Sequence, residues 1–182
     1  MASRNPFEVL GLGVRYRISR AEIERAYLQA VGAIHPDLGG LGPTAFEDES
    51  DADVTAVLNM ARDTLLNPET RASLMLSMLG GPAKEQDKSL PPTFLMEMME
   101  VREQVEAASS SKDHGELAIW KSWATEQRRE YEAKVADLFD KAQQSGTNNS
   151  ATLKEIRATL NAWRYIERLI EQLDPAGNAP TL

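Results

Sequence analysis

Ser19-Arg20-Ala21-Glu22-Ile23-Glu24-Arg25-Ala26-Tyr27-Leu28-Gln29-Ala30-Val31-Gly32-Ala33-Ile34-His35-Pro36-Asp37 has the pattern of a capped amphipathic helix that ends at a corner. Ser19 followed by Glu22 is a capping box, in which each side chain can satisfy a backbone N–H of the first helical turn. From there Ile23, Ala26, Tyr27, Ala30, Val31 and Ile34 recur at three- and four-residue spacing, so one face of the helix is apolar. Pro36 stops it, because a proline ring clashes with the preceding turn and brings no N–H. Gly39, Gly40, Gly42 and Pro43 then make a loop. A second amphipathic helix is predicted from about Ser50 to Leu66, with Val54, Val57, Leu58, Ala61 and Leu65 inward. Two helices with facing apolar stripes and a turn between them make a helical hairpin.

Short helices flank it. Asn5-Pro6-Phe7-Glu8 places a capping side chain, a proline at the first helical position and an acidic residue in the first turn, and Gly11 ends the element. Asn67-Pro68 ends the hairpin and opens a helix carrying Leu74, Met75, Met78 and Leu79 up to Gly80-Gly81. Residues 82–91 are polar and proline-flanked, which predicts a linker. Three longer helices follow, over about 92–110, 114–144 and 151–173, separated by Asp113 and by Ser145 to Asn149. No stretch alternates with a period of two. The expected fold is all-α, with an N-terminal domain over 1–81, a linker over 82–91 and a C-terminal three-helix bundle over 92–182. The acidic run Glu47, Asp48, Glu49, Asp51 and Asp53 reads as a solvated face suited to a helix N-terminus.

Composition narrows the function. The 182 residues carry 28 acidic against 20 basic side chains, a net charge of −8, and neither half reverses the sign. A binder of nucleic acid or of an anionic membrane needs a large basic surface, so neither is expected as a partner. The chain has no cysteine, which excludes disulfides, thiolate metal sites, cluster ligation by its own thiolates and cysteine nucleophiles. With His35 and His114 as its two imidazoles, no metal site and no cofactor are expected. The N-terminus lacks a secretory apolar segment and no run is long enough to span a bilayer, so the expected compartment is the cytoplasm.

His35-Pro36-Asp37 sits at a helix-to-loop corner. Phe7-Glu8-Val9-Leu10-Gly11-Leu12 precedes it; Leu58-Asn59-Met60-Ala61 and Leu66-Asn67-Pro68-Glu69-Thr70-Arg71-Ala72 follow. Together these resemble the J-domain of the co-chaperones of DnaK-type chaperones. The resemblance implies that the corner triggers ATP hydrolysis in the partner. The residue types suit that role: Pro36 stiffens the turn, Asp37 can form a charge-assisted pair with a partner arginine, and His35 can hydrogen-bond or pack at the seam. J-domains usually carry several cations along the preceding helix; here Arg20 and Arg25 remain, so electrostatic steering should be weaker. Arg25 joins His35, Pro36 and Asp37 as a chaperone-binding candidate. An acid–base enzyme using His35 and Asp37 is disfavoured, because Pro36 separates them and no nucleophile converges on them.

Leu90-Pro91-Pro92-Thr93-Phe94-Leu95-Met96-Glu97-Met98-Met99-Glu100-Val101-Arg102-Glu103 is similar to the opening of the C-terminal domain of HscB proteins, the J-proteins of iron–sulfur cluster assembly. That family's function, as the resemblance implies it, is to bring an IscU-type scaffold to a specialised DnaK-type chaperone, HscA, with the scaffold bound on the C-terminal bundle. Helical geometry indicates a patch by itself. At about 100° per residue, Phe94, Met98, Val101, Val105 and Ala108 share one direction, an ordinary core stripe. Leu95, Met96 and Met99 fall away from it beside Glu100 and Glu103, and a second apolar stripe suits a partner surface. On the last helix Leu153, Ile156, Leu160, Trp163, Ile166 and Ile170 point inward and Glu167 is expected at the rim. Tyr165 points away, where the resemblance implies an aromatic that touches the scaffold. Scaffold-binding candidates are therefore Leu95, Met96, Met99, Glu100, Glu103 and Tyr165. A different client on the same bundle is the alternative.

Overall fold

The computed structural model describes residues 4–34, 51–144 and 150–174. Seven helices and no strand occur among them: α1 (Pro6–Val9), α2 (Arg20–Ile34), α3 (Asp51–Leu66), α4 (Pro68–Met78), α5 (Phe94–Ser111), α6 (His114–Gln144) and α7 (Ser150–Leu173). Local capping chemistry explains the boundaries. Asn5 Oδ1 accepts from the Phe7 N–H at 3.1 Å, Ser19 Oγ from Glu22 at 3.2 Å, Asn67 Oδ1 from Glu69 at 2.9 Å, and Asp113 Oδ1 from Glu116 at 3.0 Å.

Three helices end in the same left-handed cap. After α1, α4 and α5 a residue takes positive φ and the next N–H reaches back five residues: Leu12 to Phe7, Gly81 to Leu76 and Asp113 to Ala108. Gly11 and Gly80 supply the positive φ at the first two, at 64° and 73°. Gly81 is glycine for a second reason, since a Cβ there would lie 2.2 Å from the Leu76 side chain. At the third cap Lys112 sits at φ 54°, where a Cβ crowds the backbone. Lys112→Gly relieves that crowding, partly offset by the greater freedom of glycine in the unfolded chain. The expected net gain is about 0.5–1 kcal/mol, read as a higher urea midpoint at unchanged slope. A lower midpoint would mean that the lysine side chain contributes more than the backbone loses.

Two compact units divide the chain, Met1–Met75 and Leu76–Leu182, the boundary falling inside α4. In the first, α3 packs against both α1 and α2. Phe7, Ile23, Val54, Leu58, Ala61, Leu65 and Met75 form its buried centre. The α2–α3 hairpin is also tied by Tyr27, whose hydroxyl donates to Asn59 Oδ1 at 2.7 Å. Arg71 is buried, donates to the Leu65 carbonyl and lies over the Tyr16 ring at 4.9 Å.

In the second unit α6 packs on both α5 and α7. Phe94, Met98, Val105, Ala124, Ala162, Ile166 and Leu169 form one buried cluster. Helix α5 has 18 residues against 31 in α6, about 27 Å against about 46 Å, so it cannot cover the whole α6–α7 hairpin. Residues 82–91, read as a linker, lie along α7 instead. Arg157 Nε donates to the Pro82 carbonyl at 3.0 Å, and Asn161 Nδ2 donates to the carbonyls of Asp87 and Ser89 at 3.0 and 2.9 Å. The Ser89 hydrogen bonds hold the Asp87 carboxyl below the usual carboxylate range. On α7 five of the six inward residues expected are buried and Ile170 is half-buried, while Thr152, Arg157, Thr159, Ala162 and Leu169 are buried as well.

Candidate functional site

Along α5 the two stripes separate as the helical arithmetic requires. Phe94 and Met98 are 4% and 6% exposed, Val105 and Ala108 are buried, and Val101 is half-buried. Their neighbours Leu95, Met96 and Met99 are 55%, 67% and 72% exposed, with Glu100 and Glu103 exposed beside them. Three large apolar side chains within two turns are therefore mostly exposed to solvent.

Tyr165 of α7 comes to the same end of α5. It is 40% exposed, and its ring meets the Phe94 ring edge-on at 5.7 Å between centroids. The Phe94 ring also meets Tyr131 of α6, edge-on at 6.3 Å. Phe94 thus meets two tyrosines, and Tyr165 packs against the first residue of α5, one position before Leu95. Tyr131 escaped the reading of the sequence, although the spacing Ala124, Tyr131, Val135, Leu138, Ala142 was there to show it. Burial is the chief cause that pushes its hydroxyl above the usual tyrosine range.

Glu167 is more enclosed than a rim residue, with its side chain 16% exposed. It takes a two-pronged contact from Arg128, at 2.7 Å from Nε and 2.5 Å from Nη2, and accepts from Trp163 Nε1 at 2.8 Å. The hydrogen bond to Glu167 raises the Arg128 pKa above its ordinary value. Arg128 stands in the apolar stripe of α6, so a carboxylate from α7 is what lets it stay there. Glu167→Ala is expected to destabilise the protein by about 1–2 kcal/mol, after discounting for the exposure of Arg128. Urea unfolding measures it, and a midpoint matching wild type would show that water replaces the carboxylate.

On the first unit, Arg25 is exposed on α2, opposite the Ile23 and Ala26 face. Arg20 pairs with Glu24 at 3.7 Å, and Arg15, upstream of the cap, pairs with Glu22. A further cation, Arg62 of α3, lies over the Tyr27 ring at 4.6 Å beside Asp63. Nothing in the sequence pattern of α2 pointed to it, because it reaches that helix from its neighbour. His35, Pro36 and Asp37 follow directly on the end of α2 and lie outside the described residues. Among the described residues no group of three or more His, Asp or Glu could hold a metal ion, and no helix is long and apolar enough to cross a membrane.

Residues 90–174, which carry the exposed stripe and Tyr165, match the family model of the HSCB C-terminal oligomerisation domain. The likeness extends to the first unit: the chain is 30% identical over 171 residues to the co-chaperone protein HscB homolog of Azoarcus, covering 93% of this chain and 92% of that protein. The chain belongs to the HscB co-chaperone family. An HscB homolog of Burkholderia thailandensis is 29% identical over 174 residues, 90% of this chain and 94% of the relative. The HscB fold is seen again in two solved structures. Human HscB superposes with a TM-score of 0.74 at 19% identity, over 98% of this chain and 84% of that one. HscB from Vibrio cholerae superposes at 0.66 and 24% identity, over 96% and 98%. The architecture is therefore the HscB one, a J-domain and a C-terminal helical bundle.

Proposed function

We propose that this chain is a non-enzymatic co-chaperone of iron–sulfur cluster transfer, acting in the cytoplasm. Its J-domain, residues 1–81, stimulates the ATPase of a DnaK/HscA-type chaperone through His35, Pro36, Asp37 and Arg25. Its C-terminal bundle, residues 92–182, carries an IscU-type scaffold to that chaperone on Leu95, Met96, Met99, Glu100, Glu103 and Tyr165. The observation that carries the reading is the exposed stripe on α5, with Tyr165 exposed on α7 and its ring edge-on to Phe94 at the start of α5. Apolar anchors around an aromatic, edged by polar groups, are what a protein-binding hot spot is made of. Membership of the HscB family supports the same pair of partners.

The chemistry is divided between molecules. Hydrolysis takes place in the chaperone's nucleotide site, and this chain contributes contacts that favour the hydrolysing conformation. A scaffold held on the bundle is present when the chaperone turns over. Titration calorimetry with a purified IscU-type scaffold and an ATPase assay with a DnaK/HscA-type chaperone test the two halves separately. Stimulation without scaffold binding would point to a J-protein with another client; the absence of both would defeat the assignment.

A further inference from the structure

The bundle's methionines fall into opposite environments, and that contrast has chemical consequences for the docking surface. Met98 is 6% exposed, buried in the α5–α6–α7 core, while Met96 and Met99 on the same helix are 67% and 72% exposed. Met75 of the first unit is 1% exposed. A thioether sulfur is a nucleophile whose oxidation follows its access to solvent. Two exposed methionines therefore stand in the stripe assigned to scaffold docking, and Met98, between them in sequence, is buried.

We propose that Met96 and Met99 form an oxidative modification site, at which conversion of their thioethers to sulfoxides by a peroxide releases the scaffold; this rests on the scaffold-binding reading above. The sulfur lone pair attacks one oxygen of hydrogen peroxide, so an S–O bond forms and the O–O bond breaks. The departing hydroxide collects the remaining proton as water. Sulfur loses two electrons and the peroxide gains them, and no other reactant is needed.

The product is unsuited to this surface. A sulfoxide oxygen is a strong acceptor and must find a donor when a partner covers it. Three carboxylates edge the stripe, Glu97, Glu100 and Glu103, all exposed and acceptors only when ionised. The cation of this segment, Arg102, lines a groove with Glu106, Ser109 and Gln172. A sulfoxide at Met96 or Met99 therefore adds an acceptor to a surface already rich in acceptors. The stripe also loses the flexible apolar surface that lets methionine adapt to a partner.

The test treats the full chain with hydrogen peroxide, maps oxygen uptake by peptide mass spectrometry and measures scaffold affinity before and after. Met96 and Met99 should gain oxygen well ahead of Met98 and Met75, and affinity should fall at least about tenfold, equivalent to about 1.4 kcal/mol. Methionine sulfoxide reductases should restore it. The double variant Met60→Leu/Met78→Leu, which removes two other exposed methionines, should lose affinity on oxidation as wild type does. The double variant Met96→Leu/Met99→Leu should show the same affinity before and after treatment, whatever its starting value. Unchanged affinity of the oxidised wild type, or an equal fall in Met96→Leu/Met99→Leu, overturns the proposal. If the untreated chain fails to bind scaffold, the parent reading falls and this one with it.

Discussion

His35→Gln is expected to abolish stimulation of a DnaK/HscA-type chaperone's ATPase, returning turnover to the basal rate, while helical circular dichroism stays as in wild type. The reason lies in what holds the hairpin. Helices α2 and α3 are joined through Ile23, Ala26, Val54, Leu58, Ala61 and Leu65, with the Tyr27–Asn59 hydrogen bond across the pair. All of these lie on the helices themselves, so removing an imidazole after the end of α2 deletes none of them. Glutamine keeps a polar side chain of similar reach but loses the ring. The contact to a partner is therefore lost while these hairpin contacts stay. Stimulation equal to wild type would show that the corner does not act on the chaperone. A loss of helix would instead assign His35 to the fold.

The second large effect is on the other surface. Alanine at Leu95, Met99 and Tyr165 together should weaken scaffold binding at least about tenfold, since anchors of this kind contribute about 1–2 kcal/mol or more each and about 1.4 kcal/mol is a factor of ten. Stability should change little, because exposed side chains leave no cavity. The Tyr165 edge on Phe94 sets the expected loss, about 1 kcal/mol. Phe94→Ala is the contrasting case. At 4% exposure and edge-on to two tyrosines, it should cost about 3–5 kcal/mol and disturb Tyr165 as well. Calorimetry and thermal melts on both variants separate docking from packing. Unchanged scaffold affinity in the triple variant, or a collapse of its melting temperature, would return these side chains to the core.

Helix ends were legible in the sequence because capping is local. Asn5, Ser19, Asn67 and Asp113 each satisfy backbone groups two or three residues away, and a reader of the chain sees both partners at once. The exposed stripe was legible for a similar reason. One helix carried two apolar directions, and a bundle needs only one. The J-domain corner stands on its pattern in the chain, since His35, Pro36 and Asp37 lie outside the described residues.

An all-helical chain, its element boundaries to within a residue or two, its likeness to a co-chaperone lineage and the side of α5 that faces away from the core all follow from local pattern. The pairings between helices do not. Tyr165 meets Phe94 across 71 residues of chain, Arg128 finds Glu167 across 39, and Arg62 reaches Tyr27 from the neighbouring helix. Residues 82–91 read as a linker because they are polar, yet their backbone carbonyls accept from Arg157 and Asn161. Periodicity reports which face of a helix is buried, but the rotation of one helix against another is set by how side chains interlock. Which residue meets which is therefore settled by packing between segments distant in the chain.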